Sequence, residues 1–164
     1  MNRIRYIFGH SRAQEFEFHG YYYSDYVGSF KRPFLRAVVY LPRFSKQRIV
    51  ELLVDTGADI TTLAARDAIL LLEESQFRQL EEFHGVLAVG GIASFYQEGA
   101  FVGLFLPNER VCWIPVSLDI AALTANQEIP SALGQDILKF GVLTLDATKE
   151  IVRVKLRLRE PIIT

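Results

Sequence analysis

The chain is predicted to fold mainly as β-structure with one or two short helices, and three observations carry that expectation. Runs of β-branched and aromatic residues of strand length recur from Phe34 to Leu158, separated by short polar or glycine-containing turns. Helical spacing of apolar residues is confined to short stretches, Ala65 to Leu80 and Ile137 to Phe140. No internal repeat or low-complexity segment breaks the pattern, and 164 residues with 50% hydrophobic content suffice for one domain with a sizeable core.

Residues 1–32 hold the aromatic cluster Phe16, Phe18, Tyr21, Tyr22, Tyr23 and Tyr26 without a periodicity long enough to settle its structure. An added hairpin, a docked arm and a removable prosegment all fit. A single domain is expected over residues 33–158, with 159–164 as a tail. Phe34 to Leu41 and Ile49 to Val54 read as a hairpin around Pro42-Arg43-Phe44-Ser45-Lys46-Gln47. After Leu63, the positions Ala65, Ala68, Ile69 and Leu72 have helical spacing, and Ser75 is expected to cap a second short helix carrying Phe77 and Leu80. Val86 to Val89, Gly90-Gly91 and Ile92 to Tyr96 form a hairpin signal, since a Gly-Gly connection tolerates the positive φ angles of primed turns. Phe101 to Leu106 and Val111 to Leu118 make a further strand pair. Gly134 ends a strand and Ile137 to Phe140 open a short helix, before a last hairpin of Val142 to Leu145 and Ile151 to Leu158.

One motif carries chemistry. Leu52-Leu53-Val54 is an apolar strand that runs into Asp55-Thr56-Gly57, and Ala58-Asp59-Ile60 leads out as a second strand. An acid that ends a buried strand and is followed by glycine sits in a tight loop at a dry site, where its carboxylate can do acid–base work. The Gly-Gly hairpin comes next, and Leu133-Gly134-Gln135-Asp136 lies some distance on. In this order the elements resemble the retropepsin-like aspartic proteases. Asp136 followed by Ile137-Leu138 is closer to the cellular and bacterial single-domain members than to the viral ones.

The resemblance covers about residues 33 to 158 and implies a closed acid-protease barrel, one lobe per chain, with endopeptidase activity. Asp55 is then the catalytic acid and base. Thr56 crosses a dimer axis to lock the paired loops, and Gly57 keeps a carbonyl and an amide open to substrate. Aspartic proteolysis needs two carboxylates sharing one proton. None of the other acids, such as Asp25, Asp119 or Asp146, is followed by Thr-Gly or Ser-Gly, so the second aspartate must come from another chain in a two-fold homodimer. Ala58, Ile60, Ile92, Ala132 and Leu133 occupy pocket-lining positions by resemblance, which implies apolar side chains on both sides of the scissile bond. Gly90 and Gly91 belong to the flap. Asp59 matches a position that binds the peptide backbone and, in retroviral members, pairs with an arginine, whose place Gln135 takes here. Gly134, Gln135 and Asp136 support the site. Many relatives place a hydroxyl at position 58, where it donates to the catalytic carboxylate; Ala58 removes that donor. A non-catalytic fold of the same family, binding peptides or only dimerising, is the alternative.

Composition narrows the partners. A formal charge of -1 gives no bulk electrostatic reason to expect nucleic acid or a membrane surface. No apolar run approaches the roughly 18 residues of a membrane span. Cys112 is the only cysteine and the start Met1-Asn2-Arg3-Ile4-Arg5 has no apolar signal-peptide core, which argues for a cytoplasmic setting. His10, His19, His84 and Cys112 lack metal-ligand spacing, and no organic cofactor is implied. Arg153, Lys155, Arg157 and Arg159 alternate with apolar residues, which reads as the wet face of a terminal strand or as a stripe for an acidic partner.

Overall fold

Alternation of apolar and polar side chains sets the strands. In β2 (Arg32–Leu41) Leu35, Ala37, Val39 and Leu41 are buried while Arg36 is exposed, and in β3 (Lys46–Val54) Val50, Leu52 and Val54 are buried. A period of two brings each set to one face. A 3₁₀ turn, Pro42–Phe44, joins the two strands, and Ser45 at φ 51° completes the reversal. The computed structural model describes residues 13–24, 30–80, 83–88, 91–123 and 128–164. Ahead of β2 lies β1 (Gln14–Tyr23). After β3 come β4 (Thr62–Leu63), α1 (Ala65–Leu71), α2 (Glu74–Phe77), β5 (Phe83–Ala88), β6 (Gly91–Phe105), β7 (Val111–Ala121), β8 (Ala132–Leu133), α3 (Gln135–Leu138), β9 (Gly141–Asp146), β10 (Ile151–Leu158) and β11 (Ile162–Ile163). The chain is therefore mainly β.

The strand pairings return on themselves. β2 pairs antiparallel with β3, β3 parallel with β8, β8 antiparallel with β4, β4 parallel with β7, β7 antiparallel with β6, and β6 antiparallel with β2. Leu52, Leu63, Val102, Leu104, Leu118, Ile120 and Leu133 are fully buried members of one core cluster. The short strands β4 and β8 place their loops beside each other, and that juxtaposition builds the site.

Several elements differ from the sequence expectation. Ile92 to Tyr96 and Phe101 to Leu106 are not two strands; β6 runs unbroken through Gly99 because β7 pairs along it from Phe95 to Phe105. The second helix is capped by Glu73, not Ser75: the Glu73 side chain accepts from the backbone of Gln76, and the Gln76 side chain from the backbone of Glu73. The strand after Asp59 shrinks to Thr62–Leu63. Among the described residues three short α-helices form rather than one or two.

Of the amino-terminal stretch, Gln14–Tyr23 join the sheet, and Tyr26 lies outside the described residues. Gln14 to Gly20 pair with β10, and Tyr21 to Tyr23 pair with β2, so β1 bridges two parts of the molecule. Phe18 is buried in the core cluster, a burial that stabilises by about 1.5–3 kcal/mol. Gly20 stands at the crossover, where an added Cβ would come within 2.1 Å of the Phe34 carbonyl oxygen. The cations of β10 face the acids of β1: Arg153 and Lys155 each lie 3.1 Å from Glu17, and Arg157 lies 3.9 Å from Glu15. The hydrogen bond from Lys155 holds the Glu17 carboxyl below its ordinary range. Much of the cationic stripe is thus answered within the chain.

At the other end, Ile162 and Ile163 pair with Trp113 and Cys112 of β7. The indole Nε1 of Trp113 donates to Thr164 Oγ1 at 3.0 Å. The Trp113 ring lies over Gly103, where a Cβ would meet it at 2.8 Å, and Tyr40 packs edge-on against it.

Candidate functional site

Two chain segments interlock to make the site. Leu53 and Asp55 donate their amides to the carbonyls of Ser131 (2.8 Å) and Leu133 (3.1 Å), which fastens the end of β3 to β8. The chain then turns. The Asp55 Oδ1 accepts the amide of Gly57 at 2.8 Å, and a Cβ at Gly57 would sit 3.2 Å from that oxygen. The Asp55 side chain is half-buried, and among the described residues its Oδ2 accepts no hydrogen bond. Thr56 and Gly57 are exposed.

The second segment braces the first from behind. Gln135 donates its amide to the Ala58 carbonyl (2.8 Å), and its side-chain Nε2 donates to the Thr56 carbonyl (3.1 Å). The Asp136 amide donates to the Asp59 carbonyl at 3.0 Å. In return, Asp136 Oδ1 accepts the Thr61 amide (3.0 Å), the Thr61 hydroxyl (2.7 Å) and the Ile137 amide (3.1 Å). Thr61 Oγ1 accepts the Gly134 amide at 3.1 Å. Gly134 is required at this contact: a Cβ would lie 2.6 Å from the Ile60 carbonyl carbon and 2.9 Å from the Thr61 nitrogen, both backbone atoms.

A further polar link ties α1 to this assembly. Ser131 is fully buried; its hydroxyl donates to Asp67 Oδ2 at 2.6 Å and accepts the Ala64 amide at 2.9 Å. Sequence reasoning missed Thr61, Ser131 and Asp67. The available signal was that Thr61 and Ser131 are hydroxyl residues directly beside the apolar strands that flank the motif, where a hydroxyl is kept only if it is hydrogen-bonded.

Most of the residues singled out from the sequence come together. Asp55, Thr56, Gly57, Ala58, Asp59 and Ile60 share one loop, and Gly134, Gln135 and Asp136 contact it. Ala132 is half-buried next to them. The side chain of Leu133, expected at the pocket, is wholly buried in the core cluster. Gly91 opens β6, while Gly90 and the side chain of Ile92 lie outside the described residues. Asp59 is exposed, and Gln135, spent on Thr56, does not engage it.

Other features lie apart from this loop. A cavity of about 330 Å³ sits between α2 and the base of β6, lined by Phe77, Arg78, Ser94 and Tyr96 among others. A larger one of about 690 Å³ lies between Ile114, Phe140 and Arg159. Among the described residues no group of three His, Cys, Asp or Glu side chains is placed to hold a metal ion, and no helix is long and apolar enough to cross a membrane. Cys112 is buried, which pushes its thiol up to about 11.

No protein-family model matches the chain, and no curated protein sequence matches it. Among solved structures, EIAV protease complexed with the inhibitor HBY-793 aligns over 71% of this chain and 92% of that chain, at 17% identity and a TM-score of 0.40.

Proposed function

We propose that the chain is an aspartic endopeptidase of the retropepsin-like kind, active as a homodimer. The observation that carries this reading is the Asp55-Thr56-Gly57 loop: a half-buried carboxylate with one oxygen held by the Gly57 amide, on a backbone braced at Thr56, Ala58 and Asp59. Such bracing holds a reacting group in place at no cost during reaction. The return of the strand pairings from β2 to β2 supports a closed barrel, and Gln135-Asp136-Ile137-Leu138 supports kinship with single-domain cellular and bacterial members.

In the proposed reaction, two chains meet about a two-fold axis and present Asp55 from each side. Two carboxylates so close share one proton. The ionised member takes a proton from a bound water as its oxygen attacks the peptide carbonyl carbon, while the protonated member hydrogen-bonds the carbonyl oxygen. Collapse of the tetrahedral intermediate breaks the C–N bond, the departing nitrogen takes up the proton that the first Asp55 took from water, and the dyad returns to its singly protonated state. The hairpin of β5 and β6 closes over the peptide and excludes bulk water. A cytoplasmic setting fits the single buried thiol.

An unbiased peptide library incubated with wild type and with Asp55→Asn tests the reading. Cleavage by the wild type alone, with a specific activity that rises with protein concentration, is the expected result. Equal cleavage by both proteins, or full activity in a sedimenting monomer, overturns it.

A further inference from the structure

The cavity of about 690 Å³ is a groove bounded by three parts of the chain. Ile114 and Pro115 of β7, Phe140 just beyond α3 and Leu158 at the end of β10 give it apolar walls. Lys139, Arg157 and Arg159 stand around these walls, and among the described residues no acid lines the groove. Two of the walls are tied together, since the Arg157 amide donates to the Phe140 carbonyl at 2.9 Å. Lys139 Nζ lies 5.2 Å from the centre of the Phe140 ring, so one cation sits directly against apolar surface. The volume is within the range of about 300–1,000 Å³ usual for ligand sites.

The charge around the groove is not balanced by the chain. Arg157 has Glu15 at 3.9 Å, at the limit of an ion pair, whereas among the described residues no acid pairs with Lys139 or Arg159. Arg159 is thus the cation of the terminal stripe that β1 leaves unanswered. Ala13 also borders the groove, but residues 1–12 include Arg3, Arg5 and Arg12 and no Asp or Glu, so that stretch has no side-chain carboxylate to offer.

We infer that this groove docks an acidic peptide segment of a partner protein, one in which carboxylates alternate with bulky apolar side chains. Three cations from two parts of the chain require more than one anionic group, and the apolar walls require side chains that bury carbon against them. A bare anion would leave the walls uncovered. An uncharged peptide would leave the cations unmatched. Because the cations are exposed, each matched pair adds at most about fivefold in affinity, and it is screened by salt. The groove shares no lining residue with the Asp55 loop or with Gln135 and Asp136, so the inference does not depend on the chemistry of that loop.

The test is fluorescence anisotropy of a labelled short peptide of alternating Glu and Phe, titrated with the full-length protein. The expected result is saturable binding that weakens at about 0.5 M salt. Affinity should fall about threefold to tenfold when Lys139→Gln and Arg159→Gln are combined, and by a similar factor in Phe140→Ser, while Lys139→Arg retains it. Peptides of alternating Gln and Phe, or of alternating Glu and Ser, should each bind at least about threefold more weakly than the Glu–Phe peptide. All three positions are exposed, and thermal melts check that each variant is folded. No binding to the wild type, or equal binding to the variants, overturns the inference. So does equal binding of the Glu–Ser peptide or of a short oligothymidylate, which would make the groove an unselective cationic patch. Conversion of an associated protein to a monomer by Phe140→Ser, seen in sedimentation, also overturns it, because a second copy of this chain would then be the occupant.

Discussion

Asp55 and Asp136 are the same residue type shortly after an apolar strand, Asp55 directly beyond β3 and Asp136 in the first turn of α3 beyond β8, and the chain treats them differently. Asp55 accepts one backbone amide and keeps its second oxygen unengaged among the described residues. Asp136 concentrates three donors on one oxygen, one of them the hydroxyl of the fully buried Thr61. The Asp136 Oδ2 is also without a donor, but it is buried. What separates the two acids is that Asp136 ties three donors of its own chain together, whereas Asp55 holds one and sits beside the exposed Thr56 and Gly57. The difference comes from the residues just beyond each acid: Gly57 lets the chain turn tightly around Asp55, while Ile137 sits in a helix and its amide folds back onto Asp136.

The sharpest way to break this comparison is to remove each acid. Asp55→Asn is expected to lower turnover at least about a thousandfold, as loss of a nucleophile-activating group does. Its stability should stay within about 0.5 kcal/mol of wild type by denaturant titration. A large loss of stability would show that Asp55 is structural as well.

Asp136→Ala should do the reverse. It strands the Thr61 amide and hydroxyl and the Ile137 amide, at a cost of about 2–4 kcal/mol in urea unfolding. Asp136→Asn retains one acceptor oxygen and should cost less. Equal stability of Asp136→Ala and wild type would erase the distinction between the two acids.

Gly134→Ala probes the contact between the segments without touching either carboxylate. The new Cβ would press on the Ile60 and Thr61 backbone, and about 1–3 kcal/mol of stability should be lost. A neutral result would mean that the two segments are less tightly interlocked than their geometry indicates.

Glu17 offers a third kind of carboxylate, one held by cations, and the smallest effect. Its carboxyl lies below the ordinary value of 4.5 because of the hydrogen bond from Lys155. The contribution is therefore present above the unfolded pKa and is lost as pH falls through the lower folded value. Protection factors in β1 and β10, which remove the intrinsic pH dependence of amide exchange, should fall on acidification below about pH 4.5. In Glu17→Gln that pH dependence should flatten. Unchanged pH dependence in the variant would show that Glu17 does not fasten β1.

The features legible in the sequence are those that depend on nearest neighbours in the chain. The β2–β3 and β9–β10 hairpins announce themselves by alternation and intervening turn residues, and the Asp55 loop by its glycine. The bracing role of Asp136 is not legible, because its partner Thr61 lies far away in sequence. β1 shows why alternation alone falls short: Glu15, Phe16, Glu17 and Phe18 alternate cleanly, but the run is short and its charge becomes meaningful only against Arg153, Lys155 and Arg157. Sequence divides β6 in two because Gln97-Glu98-Gly99 resembles a turn, and only the register with β7 carries a strand through it. Leu133 reads as pocket lining since an apolar residue beside a site and one beneath it have the same composition.

Trp113 gives the molecule a built-in optical gauge. It is the only tryptophan in the chain, and its indole is hydrogen-bonded to the last residue, Thr164, while its ring rests on Gly103. Its emission therefore comes from one place and senses whether the final strand is seated. Release of β11 from β7 can be followed by intrinsic fluorescence, without a label, separately from any event at the Asp55 loop.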